Sequence, residues 1–107
     1  IRFETLDITR GAPERADLVL CKDLLNHLDE ADVQKALRNM VASGARHLLI
    51  TSNRDHANDA LSPRHPHGSR HLNLLAPPYS LPAPLEADHY LALWETRAVA
   101  EHLAAGT

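Results

Sequence analysis

The sequence predicts an α/β fold, and three observations predict it. Two short apolar runs, residues 17–21 and 47–51, each read as a strand buried on both faces. Between them Val33, Ala36, Leu37, Met40 and Val41 fall at the spacing of a helix with one apolar stripe. Strand, crossover helix and strand over residues 16–52 make a parallel βαβ unit, around which the rest of the chain is organised. Function is expected at the carboxyl ends of its two strands, at residues 21–27 and 52–55.

The elements follow in order. Residues 1–8 alternate with period two and end near Asp7, so they read as a strand with an acidic residue at its carboxyl end. Residues 9–15, with Gly11 and Pro13, form a loop. Asp29 caps the central helix, with Asp32 three positions on as a weak capping-box partner. Gly44 ends that helix in the left-handed conformation. Residues 53–71 are polar, rich in His and Arg, and aperiodic, which predicts a long loop. Residues 72–85 carry four prolines among apolar residues. Proline excludes a helix interior or a central strand there, so the stretch is expected to be an extended segment packed over the sheet or a ligand cleft. Residues 88–96 read as a last strand and residues 97–107 as a tail or short terminal helix.

Composition bounds the function. The 107 residues make at most one domain, and 44% hydrophobic content is ordinary for a soluble globular protein. A formal charge of −3 and 4% aromatic residues leave no basic footprint and few stacking platforms for nucleic acid. No apolar run approaches the ~20 residues of a membrane-spanning helix. The single cysteine rules out an internal disulfide and fits a reducing compartment, so a cytoplasmic location is expected. The chain opens on Ile1 with strand-like sequence and no leader, and is read as a piece of a longer protein or a truncated gene product.

Recognition enters at residues 16–28, ADLVLCKDLLNHL. They resemble the strand-four motif of class I S-adenosylmethionine-dependent methyltransferases, a strand followed by L-x-H-L. Residues 2–8, RFETLDI, resemble the preceding family motif, a strand ending in Asp and an apolar residue. NRD at 53–55, LNLLAPPYSLPAPL at 72–85 and LALW at 91–94 are similar, in that order, to a bacterial subgroup of the family. The resemblance covers roughly residues 1–96, which it marks as a partial methyltransferase domain, with residues 97–107 beyond it. It implies a partial doubly wound Rossmann-like sheet, mainly parallel with a C-terminal antiparallel strand. It also implies S-adenosyl-L-methionine as cofactor and methyl transfer to an acceptor that the sequence does not identify.

Residue roles follow from the resemblance, each beside a plainer alternative. Asp7 would accept a hydrogen bond from the adenine amino group and Ile8 would pack on the ring; otherwise Asp7 is a loop carboxylate capping the next turn. The backbone of Cys21, Lys22 and Asp23 would run beside the cofactor and face the acceptor. Cys21 otherwise is a small buried hydrophobe, and Lys22 and Asp23 a solvated turn. His27 and Asp23 are the candidate catalytic residues, His27 because its ordinary pKa of about 6.5 suits proton transfer. Otherwise His27 packs at the helix entrance. Asn53 and Arg54 would orient a polar acceptor, or staple a turn. Asn73 and Tyr79 would line the acceptor pocket, or simply pack. His65, His67 and His71 invite a metal reading, but H-x-H-x-x-x-H lacks i, i+4 presentation and a clear carboxylate partner, so no metal site is assigned.

One family feature is missing. The four glycines, at 11, 44, 68 and 106, form no G-x-G turn for the cofactor. The chain is therefore expected to be the C-terminal portion of the domain, inactive alone. Its Asp7 strand would lack neighbours, and its exposed strand edge invites self-association. The alternative is a non-catalytic remnant or interaction module that pairs through that edge.

Overall fold

The computed structural model describes residues 3–58 and 71–106. Among them lie β1 (Leu18–Cys21), a 3-10 turn (Leu25–His27), α1 (Glu30–Ala42), β2 (His47–Thr51), β3 (Glu86–Ala87), β4 (Leu91–Glu95) and α2 (Thr96–Ala105). The described strands form one sheet in the order β1-β2-β4-β3.

The βαβ unit stands as expected. β1 pairs parallel to β2 with Leu18 opposite His47 and Cys21 opposite Ile50. α1 crosses between them because its sequence starts and stops it cleanly. Asp29 accepts the Asp32 backbone N–H at 2.9 Å, and Gly44 closes the helix at φ +78°. Val33, Ala36, Leu37 and Met40 are buried against the sheet, each by about 1.5–3 kcal/mol for the larger side chains.

The sheet is mixed: β1, β2 and β3 run one way, and the C-terminal β4 runs against them, the one antiparallel strand expected. β4 runs antiparallel to β2, with Leu49 opposite Leu93, and β3 runs antiparallel to β4. Among the described residues, only the β1–β2 pairing has a crossover helix. β4 follows β3 through the short turn 88–90, and a tight turn joins only antiparallel strands.

Two expectations are corrected. Residues 3–8 form no strand. The chain turns back at Asp7, whose carbonyl accepts the N–H groups of Arg10 (2.9 Å) and Gly11 (3.3 Å). No described strand lies beside residues 3–8 to complete a ladder. The last strand is also shorter than residues 88–96, because Asp88 holds the chain in a turn until Leu91. The terminal segment is a helix of ten residues, and its Val99 joins the main core.

The Pro-rich segment packs over the sheet as expected but is not extended: residues 74–79 turn, with the Ala76 carbonyl accepting the N–H groups of Tyr79 (3.1 Å) and Ser80 (3.0 Å). Leu72, Leu74, Tyr79 and Leu81 are buried in the same cluster as Leu48, Ile50 and Trp94, and the Trp94 indole N–H donates to the Pro82 carbonyl at 2.8 Å. That cluster lies on one face of the sheet. The other face carries Leu18, Leu20, Leu49, Leu91 and Leu93, and no described helix covers it. No helix among the described residues is long and apolar enough to cross a membrane.

Candidate functional site

The strands deliver a polar cluster to the carboxyl ends of β1 and β2. Thr51 closes β2. By register it belongs to the uncovered face, yet it is only 3% exposed. Its hydroxyl oxygen accepts the Asp23 backbone N–H at 2.8 Å. That bond pins Asp23 in the left-handed region at φ +55°, a conformation that Asp tolerates better than most residues but at a cost of about 1 kcal/mol. Non-glycine residues held this way concentrate at functional sites.

Tyr90 completes the cluster from the start of β4. Its hydroxyl donates to the Asp23 carboxylate. Its backbone is fixed twice: its N–H donates to Asp88 Oδ1 at 2.7 Å, and its carbonyl accepts the Ser52 N–H at 2.9 Å. The Lys22 ammonium lies over the Tyr90 ring, 5.8 Å from its centroid. The hydrogen bond to Asp23 is the main influence that pushes the Tyr90 phenol above its ordinary pKa, so it stays a donor through neutral pH. The N–H groups of Leu91 and Tyr90 hold the Asp88 carboxyl below the ordinary carboxylate range, with smaller help from the charges of His89 and Arg54.

The sequence-predicted residues divide sharply. Lys22 and Asp23 belong to this cluster. Cys21 is buried, and desolvation pushes its thiol up to about 11, so at neutral pH it is an apolar core group and no nucleophile. His27 is exposed at the end of the 3-10 turn.

Asp7 caps its own turn. Its Oδ1 accepts the Thr9 N–H at 3.0 Å and the Thr9 hydroxyl at 2.7 Å, and Arg10 Nε lies 3.5 Å from its Oδ2. These bonds, first those from Thr9, hold its carboxyl below the ordinary range. Ile8 packs partly buried against the core, and its carbonyl accepts the Asn39 amide at 2.7 Å.

Asn53 and Asn73 act as staples. Asn53 exchanges two bonds with Leu72: its N–H donates to the Leu72 carbonyl at 2.6 Å and its Oδ1 accepts the Leu72 N–H at 2.9 Å. Asn73 is 7% exposed, and its amide donates to the carbonyls of Arg54 and His56, each at 3.0 Å. Both amide hydrogens are thus taken. Arg54 is exposed beside Asp88, and Tyr79 is 3% exposed in the core, its carbonyl 2.9 Å from His102 Nε2. Asn53 and Asn73 thus hold loop backbone, and Tyr79 packs in the core.

Sequence reasoning missed Thr51 and Tyr90. The one local signal was Asp88, two residues before Tyr90, which marks a turn at the strand entry. Nothing local pairs Tyr90 with a carboxylate 67 positions away. It also missed Asn58, whose amide donates to the carbonyls of Asn73 and Pro77, each at 2.8 Å. His65 and His67 lie outside the described residues, and His71 stacks on His56 at 3.8 Å between ring centroids.

Comparison with protein-family models, curated proteins and solved structures finds no match to this chain.

The residues present do not by themselves fit S-adenosyl-L-methionine. Asp7 Oδ1 is committed to Thr9, and no glycine-rich turn stands at a strand end among the described residues. What the chain supplies is a polar wall: a carboxylate, a phenol and an ammonium at the ends of two parallel strands.

Proposed function

We propose that this chain is the C-terminal portion of an S-adenosylmethionine-dependent methyltransferase, contributing the acceptor side of the site. The observation that carries this reading is the strand order. β1-β2-β4-β3, with a parallel first pair and the last strand antiparallel between its neighbours, has the same order and directions as the 4-5-7-6 end of the family's 3-2-1-4-5-7-6 sheet. The Lys22–Asp23–Tyr90 cluster adds support, because it stands at the carboxyl ends of β1 and β2, where open α/β sheets bind ligands. In this reading the cofactor cradle comes from a glycine-rich strand–turn–helix outside the present sequence. The chain aligns the acceptor and excludes water from it.

Calorimetric titration with S-adenosylhomocysteine tests the reading, on the 107-residue chain and on a chain extended upstream in its reading frame. Binding by the extended chain alone is the expected result. Binding by neither removes the methyltransferase reading.

A second reading rests on a different observation. Leu18 and Leu20 of the edge strand β1 are 45% and 58% exposed, and their sheet face is uncovered among the described residues. An unpaired strand edge flanked by an apolar face is a template for another chain, as an interaction module would use. Light scattering distinguishes the two: a stable dimer of the short chain with no cofactor binding by either form favours the module.

A further inference from the structure

We propose that the Tyr90 ring and the Asp23 carboxylate form a subsite for an alkylammonium group, and that the chain's own Lys22 ammonium competes for it. As a binding site the inference stands on geometry alone. As the identity of the methyl acceptor, an amine, it rests on the methyltransferase reading.

The site has two components that a cation needs and both are held in place. The first is a ring face. Tyr90 is anchored: Asp88 holds its N–H, the Ser52 N–H holds its carbonyl, and its hydroxyl bond to Asp23 restrains the ring. The Lys22 ammonium 5.8 Å from the centroid shows that a cation reaches that face within cation–π range. The second is a carboxylate. Asp23 is fixed at φ +55° by the Thr51 hydroxyl, and the described residues place their hydrogen bond on its Oδ1, from the Tyr90 hydroxyl. Oδ2 is left as an acceptor, and the site is exposed enough for a ligand to enter.

The geometry is costly for a mere solvated turn. A left-handed non-glycine residue and a tyrosine anchored from three sides persist only where the surroundings over-determine them. Both groups also favour one ligand class. A ring face attracts a cation of any kind, whereas a carboxylate adds a directional bond only to a cation that carries N–H groups. A primary ammonium satisfies both; a quaternary ammonium satisfies the ring alone.

The test is an amide-resolved NMR titration of the 107-residue chain at low salt with butylammonium, tetramethylammonium and butanol. The expected result is saturable shifts at Asp23, Thr51 and Tyr90 with butylammonium, weaker ones with tetramethylammonium, and none with butanol. Lys22→Met removes the competitor and tightens butylammonium binding about two- to fivefold. Asp23→Asn keeps a side chain that tolerates the left-handed backbone and weakens butylammonium about two- to fivefold, and tetramethylammonium less, because the quaternary cation loses only the charge attraction and no hydrogen bond. Tyr90→Leu abolishes the response to both cations.

No saturable shift with butylammonium in the Lys22→Met chain overturns the site. So does an equal response to butanol, and so does tighter binding by the Tyr90→Leu chain. Butylammonium binding without S-adenosylhomocysteine binding by the extended chain keeps the subsite and removes the methyltransferase reading, so the two failures are told apart.

Discussion

The two faces of the sheet are built from similar residues and meet different fates. On one, Leu48, Ile50 and Trp94 are fully buried under α1, α2 and the Pro-rich segment. On the other, Leu18 and Leu20 are half exposed, and Leu49, Leu91 and Leu93 are only partly covered by one another. Strand composition is therefore not what buries a face. A crossover helix follows the hand of its βαβ unit and covers one side only. At one end of the uncovered face Asp23 and Tyr90 close over Thr51. The candidate site is the polar end of the open face.

The largest test of this contrast is Trp94→Ala. It opens a cavity on the covered face and removes the bond to the Pro82 carbonyl, so it costs about 3–5 kcal/mol in urea denaturation. A loss under about 1 kcal/mol would show that this face is not the core. Next is Thr51→Val, which leaves the Asp23 N–H without its acceptor. The expected loss is about 1–3 kcal/mol, with a shift in Tyr90 fluorescence as its partner moves. Unchanged fluorescence would separate Thr51 from the cluster.

A smaller effect, about 1 kcal/mol near pH 10, comes from Cys21. Its folded-state value of about 11 lies above its ordinary 9.0, so the fold retains the thiol proton that the unfolded chain gives up. Stability is thus full below about pH 9 and falls as pH rises toward about 11. Thermal melts across this range should show the slope, and Cys21→Ala should reduce it, the Tyr90 phenol, also raised, accounting for part of what remains. The smallest effect on stability is Leu20→Ser, within about 0.5 kcal/mol, since Leu20 is 58% exposed. Its effect on self-association should be the larger one. A dimer that survives Leu20→Ser in light scattering would place the contact elsewhere.

Much of the frame was legible. The run at 17–21, the stripe from Val33 to Val41, the Asp29 cap and the Gly44 stop each depend on neighbours within a few positions, and all stand in the structure. The packed Pro-rich segment was legible for the same reason, because its prolines exclude the regular alternatives. The strand expected over residues 1–8 failed because alternation marks only a tendency, and a strand exists only where a partner completes its ladder. In the site, Lys22 and Asp23 were found from the end of a strand. For Asn53 and Asn73 the sequence leaves two readings, because an amide that staples a loop and an amide that meets a ligand are the same residue type in the same polar loop.

By itself, then, the sequence determined the central βαβ unit, its helix boundaries and the end of the sheet at which polar groups gather. These follow from periodicity and from capping, which act over one or two turns of chain. Only the tertiary structure decided that one sheet face is uncovered among the described residues, and that Tyr90 meets Asp23. Those outcomes depend on which distant segments come to lie side by side, and no local pattern encodes a pairing across 67 residues.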